Sequence, residues 1–152
     1  MMEQNERLLR DRTARLSWSS AACSRTTKVL CVDDNSAFLA AFSAVLEFAG
    51  ISVTAASDPA HGLALARSAF FDLAILDYHM PGMNGAQLAR RIRQTRPGMP
   101  LILLSANESV PAEDLRAFNR YLRKGEGFQE VLLAIGLSLA NEKRPGPHDI
   151  AA

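Results

Sequence analysis

The chain has 152 residues, 48% hydrophobic and 22% charged, with 17 Lys and Arg against 16 Asp and Glu for a formal net charge of +1. That size and balance fit one folded domain with tails and give no electrostatic reason to expect nucleic acid or an anionic membrane as a direct partner. No apolar run reaches the ~18–20 residues of a membrane span, and the polar stretch Met1 to Arg15 lacks the apolar centre of a secretory signal.

Residues 1–26 read as an N-terminal extension, partly helical or disordered. Glu3/Arg7 and Glu6/Arg10 stand four apart and favour a short helix, Leu8, Leu9, Leu16 and Trp18 give it apolar surface, and Ser17 to Ala22 form a linker. Cys23 in this lead-in and Cys31 in the following apolar run predict reduced thiols, Cys31 buried, in a cytoplasmic protein.

Regular patterning covers residues 27–141. Lys28 to Val32 is a strand. Ser36 to Ala49 is a helix, with Phe38, Leu39, Phe42, Val45, Leu46 and Ala49 at helical spacing and Gly50 as its stop. A strand over Ile51–Ala55 follows, then a helix opened by Asp58 as cap and Pro59 at its first position. Leu73 to Leu76 is a buried strand, and Asn84-Gly85 leads into a helix reaching Thr95, ended by Arg96-Pro97-Gly98. Leu101 to Leu104 is the fourth strand, Pro111 to about Asn119 a short helix, Tyr121-Leu122 a brief fifth strand and Phe128 to about Asn141 the last helix. Residues 142–152, with Pro145-Gly146-Pro147, read as a disordered tail. Strand and helix alternate five times. This predicts an α/β fold: a doubly wound, parallel five-stranded sheet with helices on both faces. The wholly apolar middle strands suit burial on both sides.

Chemistry in such sheets collects at the carboxyl ends of strands. Asp33-Asp34 ends the first strand and Asp77 the third. Three close carboxylates repel one another unless a cation neutralises them, and Mg²⁺ suits a few hard oxygens plus water and a phosphate, with Mn²⁺ an acceptable substitute. Helix capping by Asp34 or Asn35 is the plainer account of the first site, but it leaves Asp77 unexplained. Ser105 closes the fourth strand, and Lys124 follows the fifth. Acids, a hydroxyl and an ammonium along one edge suit phosphoryl transfer to the Asp77 carboxylate.

The segments Val29-Leu30-Cys31-Val32-Asp33-Asp34-Asn35, Leu76-Asp77 with Met80-Pro81-Gly82-Met83-Asn84-Gly85, Leu104-Ser105-Ala106 and Tyr121-Leu122-Arg123-Lys124 resemble, in that order, the receiver domains of two-component response regulators. The resemblance runs from about Thr27 to Asn141 and implies the flavodoxin-like strand order 2-1-3-4-5. It implies that Asp77 accepts a phosphoryl group from a histidine kinase or phosphotransfer protein. It also implies that Asp33, Asp34, Asp77 and the His79 backbone carbonyl bind Mg²⁺. Ser105 and Lys124 then contact the phosphate, and Tyr121 turns inward when the Ser105 hydroxyl closes on it. The expected protein is a stand-alone, single-domain response regulator. It signals to a downstream protein through its fourth helix, fifth strand and fifth helix, with a homodimer left open. It is a phosphoacceptor rather than an enzyme, catalysing only its own phosphorylation and dephosphorylation. His79, two residues past Asp77, and Asn107, two past Ser105, are placed to tune the lifetime of the phosphoryl group.

Two departures stand out. Gly125 follows Lys124 where the family has proline after a cis bond, so a trans bond or a less fixed loop is expected. The Ser105–Lys124 spacing is short, so the fourth helix or the loop after it must be abbreviated. The alternative function is a receiver-like docking module that works without phosphorylation. An aspartyl phosphatase would place Asp-x-Asp at one strand end. A dinucleotide fold would need a glycine turn where Asp33-Asp34-Asn35 stands, and no helix-turn-helix follows the last helix.

Overall fold

The computed structural model describes residues 25–106 and 109–141. The extension and tail expected from the sequence therefore fall, apart from Arg25 and Thr26, outside the described residues. So do Cys23 and Asn107.

The elements in chain order are β1 (Lys28–Val32), α1 (Ser36–Phe48), β2 (Ser52–Ala56), α2 (Pro59–Ser68), β3 (Leu73–Leu76), α3 (Gly85–Thr95), β4 (Leu101–Ser105), α4 (Ala112–Leu115), β5 (Arg120–Arg123) and α5 (Phe128–Asn141). All strand pairs are parallel, in the order β2-β1-β3-β4-β5. This is the doubly wound sheet that the alternation predicts. Strand β3 is buried along its whole length and so is β4, as their apolar runs require. Alternate side chains divide the core. Leu30, Val32, Ala74 and Leu76 face α2 and α3 through Leu63, Ala66, Leu88 and Ile92. Val29, Cys31, Leu73 and Ile75 face α1 and α5 through Leu39, Leu46, Val131 and Ile135. Burial and the charge of Asp33 push the Cys31 thiol well above its ordinary pKa, as an inert core residue.

Helix starts follow local chemistry. The Asn35 carboxamide caps α1 by accepting from Phe38 N at 3.0 Å. Asp58 caps α2. Asn84 and Gln87 form a reciprocal capping box on α3. The first site thus uses Asn35, not Asp34, as its cap.

The structure shifts several expected boundaries. Ala49 is the C-cap of α1 rather than its last residue, β2 begins one residue later than Ile51, and Ser105 lies within β4. The largest difference is α4, expected to run from Pro111 to Asn119 and formed only over Ala112–Leu115. Pro111 supplies no side-chain cap, and Asn119 must reach the start of β4, where its N–H donates to Leu101 O at 2.8 Å. Helix α3 holds this shortened segment from outside. Arg90 donates to Asp114 Oδ1 at 2.7 Å, while Arg93 donates to Ala117 O at 3.1 Å and to Asn119 Oδ1 at 2.7 Å. A single turn has too few internal hydrogen bonds to persist alone, so these arginines replace what a longer helix would provide for itself.

The β3–α3 loop depends on one close approach. Gly85 N donates to Tyr78 O at 2.8 Å, and a Cβ on Gly85 would collide with the Asp77 carbonyl oxygen and stand 3.1 Å from Tyr78 Cα. Backbone cannot yield as a flexible side chain can. Gly85→Ala is expected to lose about 3 kcal/mol of stability in urea denaturation, whereas Gly98→Ala, which meets nothing within 4 Å, should stay within about 0.5 kcal/mol of wild type.

Candidate functional site

Strand β1 sends its chain to β2 on one side through α1, and its other neighbour is β3. The crevice where the order reverses opens at the carboxyl ends of β1 and β3, the usual place for a site in such sheets. Val32 pairs with Leu76, so the next residues, Asp33 and Asp77, emerge side by side. Their backbones are fixed by Asp33 N to Ala56 O at 3.1 Å and Asp77 N to Val32 O at 2.9 Å. Asp33 is 4% exposed and Asp77 6%, and Asp34 lies at the surface.

One carboxylate oxygen from each of Asp33, Asp34 and Asp77 lies within 4.8 Å of the others. Two ionised carboxylates at that separation repel by roughly 3–4 kcal/mol at an effective dielectric of 20. Lys124 answers part of this charge. Its Nζ stands 2.6 Å from Asp33 Oδ2 and 3.3 Å from Asp77 Oδ1, and 4.4 Å from the centroid of the Phe38 ring. Burial alone would lower the lysine's pKa. The hydrogen bond to Asp33 and the charges of Asp77 and Asp33 outweigh it and hold the ammonium above its ordinary value. Burial and the neighbouring Asp33 push Asp77 up to about 6, with Lys124 opposing. Three carboxylates against one ammonium leave two negative charges, and every donor is a hard oxygen. A small divalent cation fits that set. Asp33, Asp34 and Asp77 would hold it, and it would neutralise the charge that Lys124 leaves.

Residues 29–135 match the response regulator receiver domain. The chain belongs to this family. It is 35% identical over 147 residues to the sensor histidine kinase GacS of Pseudomonas protegens, a match covering 89% of this chain and 16% of that one. The chain spans half or less of the curated relatives it matches first. Among solved structures, a CheY-like receiver domain protein from Methanospirillum hungatei superposes with a TM-score of 0.73 at 30% identity, covering 78% of this chain and 98% of that one. The response regulator TrrA of Thermotoga maritima, solved in complex with Mg²⁺-BeF, gives a TM-score of 0.71 at 26% identity, covering 74% and 99%. Receiver domains are signalling phosphoacceptors of two-component systems, served by histidine kinases and phosphotransfer proteins, rather than enzymes in the ordinary sense. Among the described residues no helix is long and apolar enough to cross a membrane.

The remaining candidates divide between the acids and a neighbouring cluster. Ser105, 1% exposed, ends β4 beside Lys124, whose N–H donates to Ser105 O at 3.0 Å. Tyr121 lies opposite Leu103 and packs in a separate cluster with Tyr78, Leu103, Val110, Leu115 and Phe118. His79 is exposed and meets the Tyr78 ring edge-on. The Lys124–Gly125 bond is trans, as are all peptide bonds among the described residues, and Gly125 takes φ +112°. The turn after Lys124 is thus made with a left-handed glycine.

Two features escaped the sequence pattern. Phe38 has the spacing of a core residue, and its place over Lys124 depends on a loop almost ninety positions away. Tyr78, next to Asp77, is 7% exposed and donates to Asp114 Oδ2 at 2.6 Å, while Arg90 holds the other oxygen. These bonds lower the Asp114 pKa, and the same Asp114 bond, with burial, raises Tyr78 to about 12. A buried tyrosine needs a partner for its hydroxyl, so a Tyr directly after a strand-end acid was the available signal.

Because the folded chain raises the Asp77 pKa from 3.8 to about 6, it holds that proton more tightly than the unfolded chain. Stability therefore falls as pH rises between those values and stays reduced above them. In Mg²⁺-free buffer at pH 8, Asp77→Asn should be more stable than wild type by roughly 1–3 kcal/mol, with the difference fading below about pH 4. Urea denaturation across pH checks this, and a variant less stable than wild type at pH 8 would contradict it.

Proposed function

We propose that this receiver domain accepts a phosphoryl group on Asp77 and signals through the surface formed by α4, β5 and α5. The decisive observation is the Lys124 ammonium, 2.6 Å from Asp33 and 3.3 Å from Asp77, in a cluster of three acids. An isolated surface lysine would not reach both buried carboxylates.

An Asp77 oxygen attacks the phosphorus of a phosphohistidine on a histidine kinase or phosphotransfer protein. The O–P bond forms, the P–N bond breaks and imidazole leaves with a proton. Water later cleaves the acyl phosphate to restore the carboxylate and release phosphate. Asp33, Asp34, Asp77 and the His79 backbone carbonyl would hold Mg²⁺, which supplies charge neutralisation on the phosphoryl oxygens. Lys124 turns from the carboxylates to a phosphoryl oxygen, adding a preorganised positive charge. The Ser105 hydroxyl donates to another, and Tyr121 repacks within the cluster it shares with Val110 and Leu115. The phosphoryl group biases two preexisting arrangements of that cluster. On the output side, α5 presents Leu133 and Leu137 to solvent at 62% and 43% exposure, an apolar strip suited to a protein target. His79, exposed at the rim, sets the phosphoryl lifetime through its access to the hydrolytic water.

Intact mass after incubation with Mg²⁺ and phosphoramidate tests the assignment. One phosphoryl adduct is expected on wild type, with none on Asp77→Asn and none when EDTA replaces Mg²⁺. Failure of wild type to gain the adduct from phosphoramidate or from a phosphohistidine donor would favour a docking module that works without phosphorylation.

A further inference from the structure

The loop that carries Lys124 does little to fix its side chain. Lys124-Gly125-Glu126-Gly127 contains two glycines, which leave the chain more freedom than any other residue. Its backbone is tied by Lys124 N to Ser105 O at 3.0 Å and Glu126 N to Arg123 O at 3.2 Å. The four-carbon stem has about 2 kcal/mol of rotamer entropy to lose. Among the described residues, three groups hold the ammonium: Asp33, Asp77 and the Phe38 ring. The first two are carboxylates that a divalent cation and a phosphoryl group would claim. The ring competes for neither.

That ring is itself held in place. Phe38 N donates to the Asn35 cap at 3.0 Å, and Asn35 N donates to Asp33 Oδ1 at 2.9 Å. Phe42, one turn along α1, stacks on Phe38 with centroids 5.4 Å apart and planes 16° from parallel. The aromatic face is thus built onto the same backbone turn that presents Asp33.

We propose that Phe38 is a positioning residue for Lys124: its ring face keeps the ammonium within reach of the site while the carboxylates are given over to the cation and the phosphoryl group. This rests on the assignment of Asp77 as phosphoacceptor. A cation facing an aromatic ring is attracted to the negative centre of the π system, and the attraction survives partial desolvation. An aliphatic side chain of similar bulk would fill the space without that attraction. Phe38 therefore adds a restraint on the side chain that the loop's backbone hydrogen bonds do not supply.

Phe38→Leu and Phe38→Tyr, each made in wild type and in Lys124→Met, form the test, with thermal melts showing that each variant is folded. With saturating Mg²⁺ and limiting phosphoramidate, Phe38→Leu should slow phosphoryl uptake by about three- to tenfold. Phe38→Tyr should restore the wild-type rate, and in Lys124→Met the leucine variant should have no further effect. A second readout needs no phosphoryl chemistry. Acylation of Lys124 by an amine-reactive ester, followed by peptide mass mapping, should be faster in Phe38→Leu by a similar factor and unchanged in Phe38→Tyr. Equal rates for wild type and Phe38→Leu in both assays would overturn the proposal. So would an equal loss from leucine in the Lys124→Met background, which would mark Phe38 as packing alone. If wild type takes up no phosphoryl group, the phosphoacceptor assignment fails, and the acylation rates still decide whether the ring holds the lysine.

Discussion

Repulsion between two buried carboxylates organises this molecule. The parallel register of β1 and β3 leaves no choice: Val32 pairs with Leu76, so Asp33 and Asp77 must stand together at the mouth of the crevice. The surrounding apolar strands cannot hydrate them. Relief comes from Lys124, carried in by the loop after β5 from the far side of β4. The site is therefore a device for holding negative charge that one ammonium does not fully cancel. The balance is left for a divalent cation and, through it, a phosphoryl group.

The same residues lead outward. Tyr78, covalently next to Asp77, is hydrogen-bonded to Asp114 on the single turn of α4, and Arg90 of α3 grips the same carboxylate. Arg93 fixes the chain from Ala117 to Asn119. In this chain the segment after β4 is short and clamped, and its shape is set by contacts to α3 and to Tyr78 rather than by its own helical bonds. One side chain, Tyr78, thus joins the backbone beside Asp77 to that segment.

Much of this was legible in the sequence. Apolar runs ending in Asp33-Asp34 and Asp77 announce buried strands with charged tips, and alternating periodicity supplies the doubly wound sheet. The order of the acids, Ser105 and Lys124 along the chain then places them at one edge. The short Ser105–Lys124 spacing called for an abbreviated fourth helix or following loop, and did not say that the helix would shrink to Ala112–Leu115, because the competing pull of Asn119 onto β4 is a tertiary constraint. Phe38 was hidden for a different reason. Helical spacing says which face of α1 points inward, and it does not say which cation from a distant loop will lie over the ring. Tyr78 was disguised by its neighbour, since the acid beside it accounts for the strand end without it.

Lys124 pairs with Asp33 and Asp77, two of the three acids that would hold a divalent cation, so cation and ammonium would draw on the same negative charge. Calorimetric titration of Mg²⁺ into wild type and Lys124→Met at pH 8, above the Asp77 pKa of about 6, measures this directly. Tighter Mg²⁺ binding by the variant is expected, because the competing charge is gone and all three carboxylates remain. Weaker binding, or no binding to either protein, would contradict it.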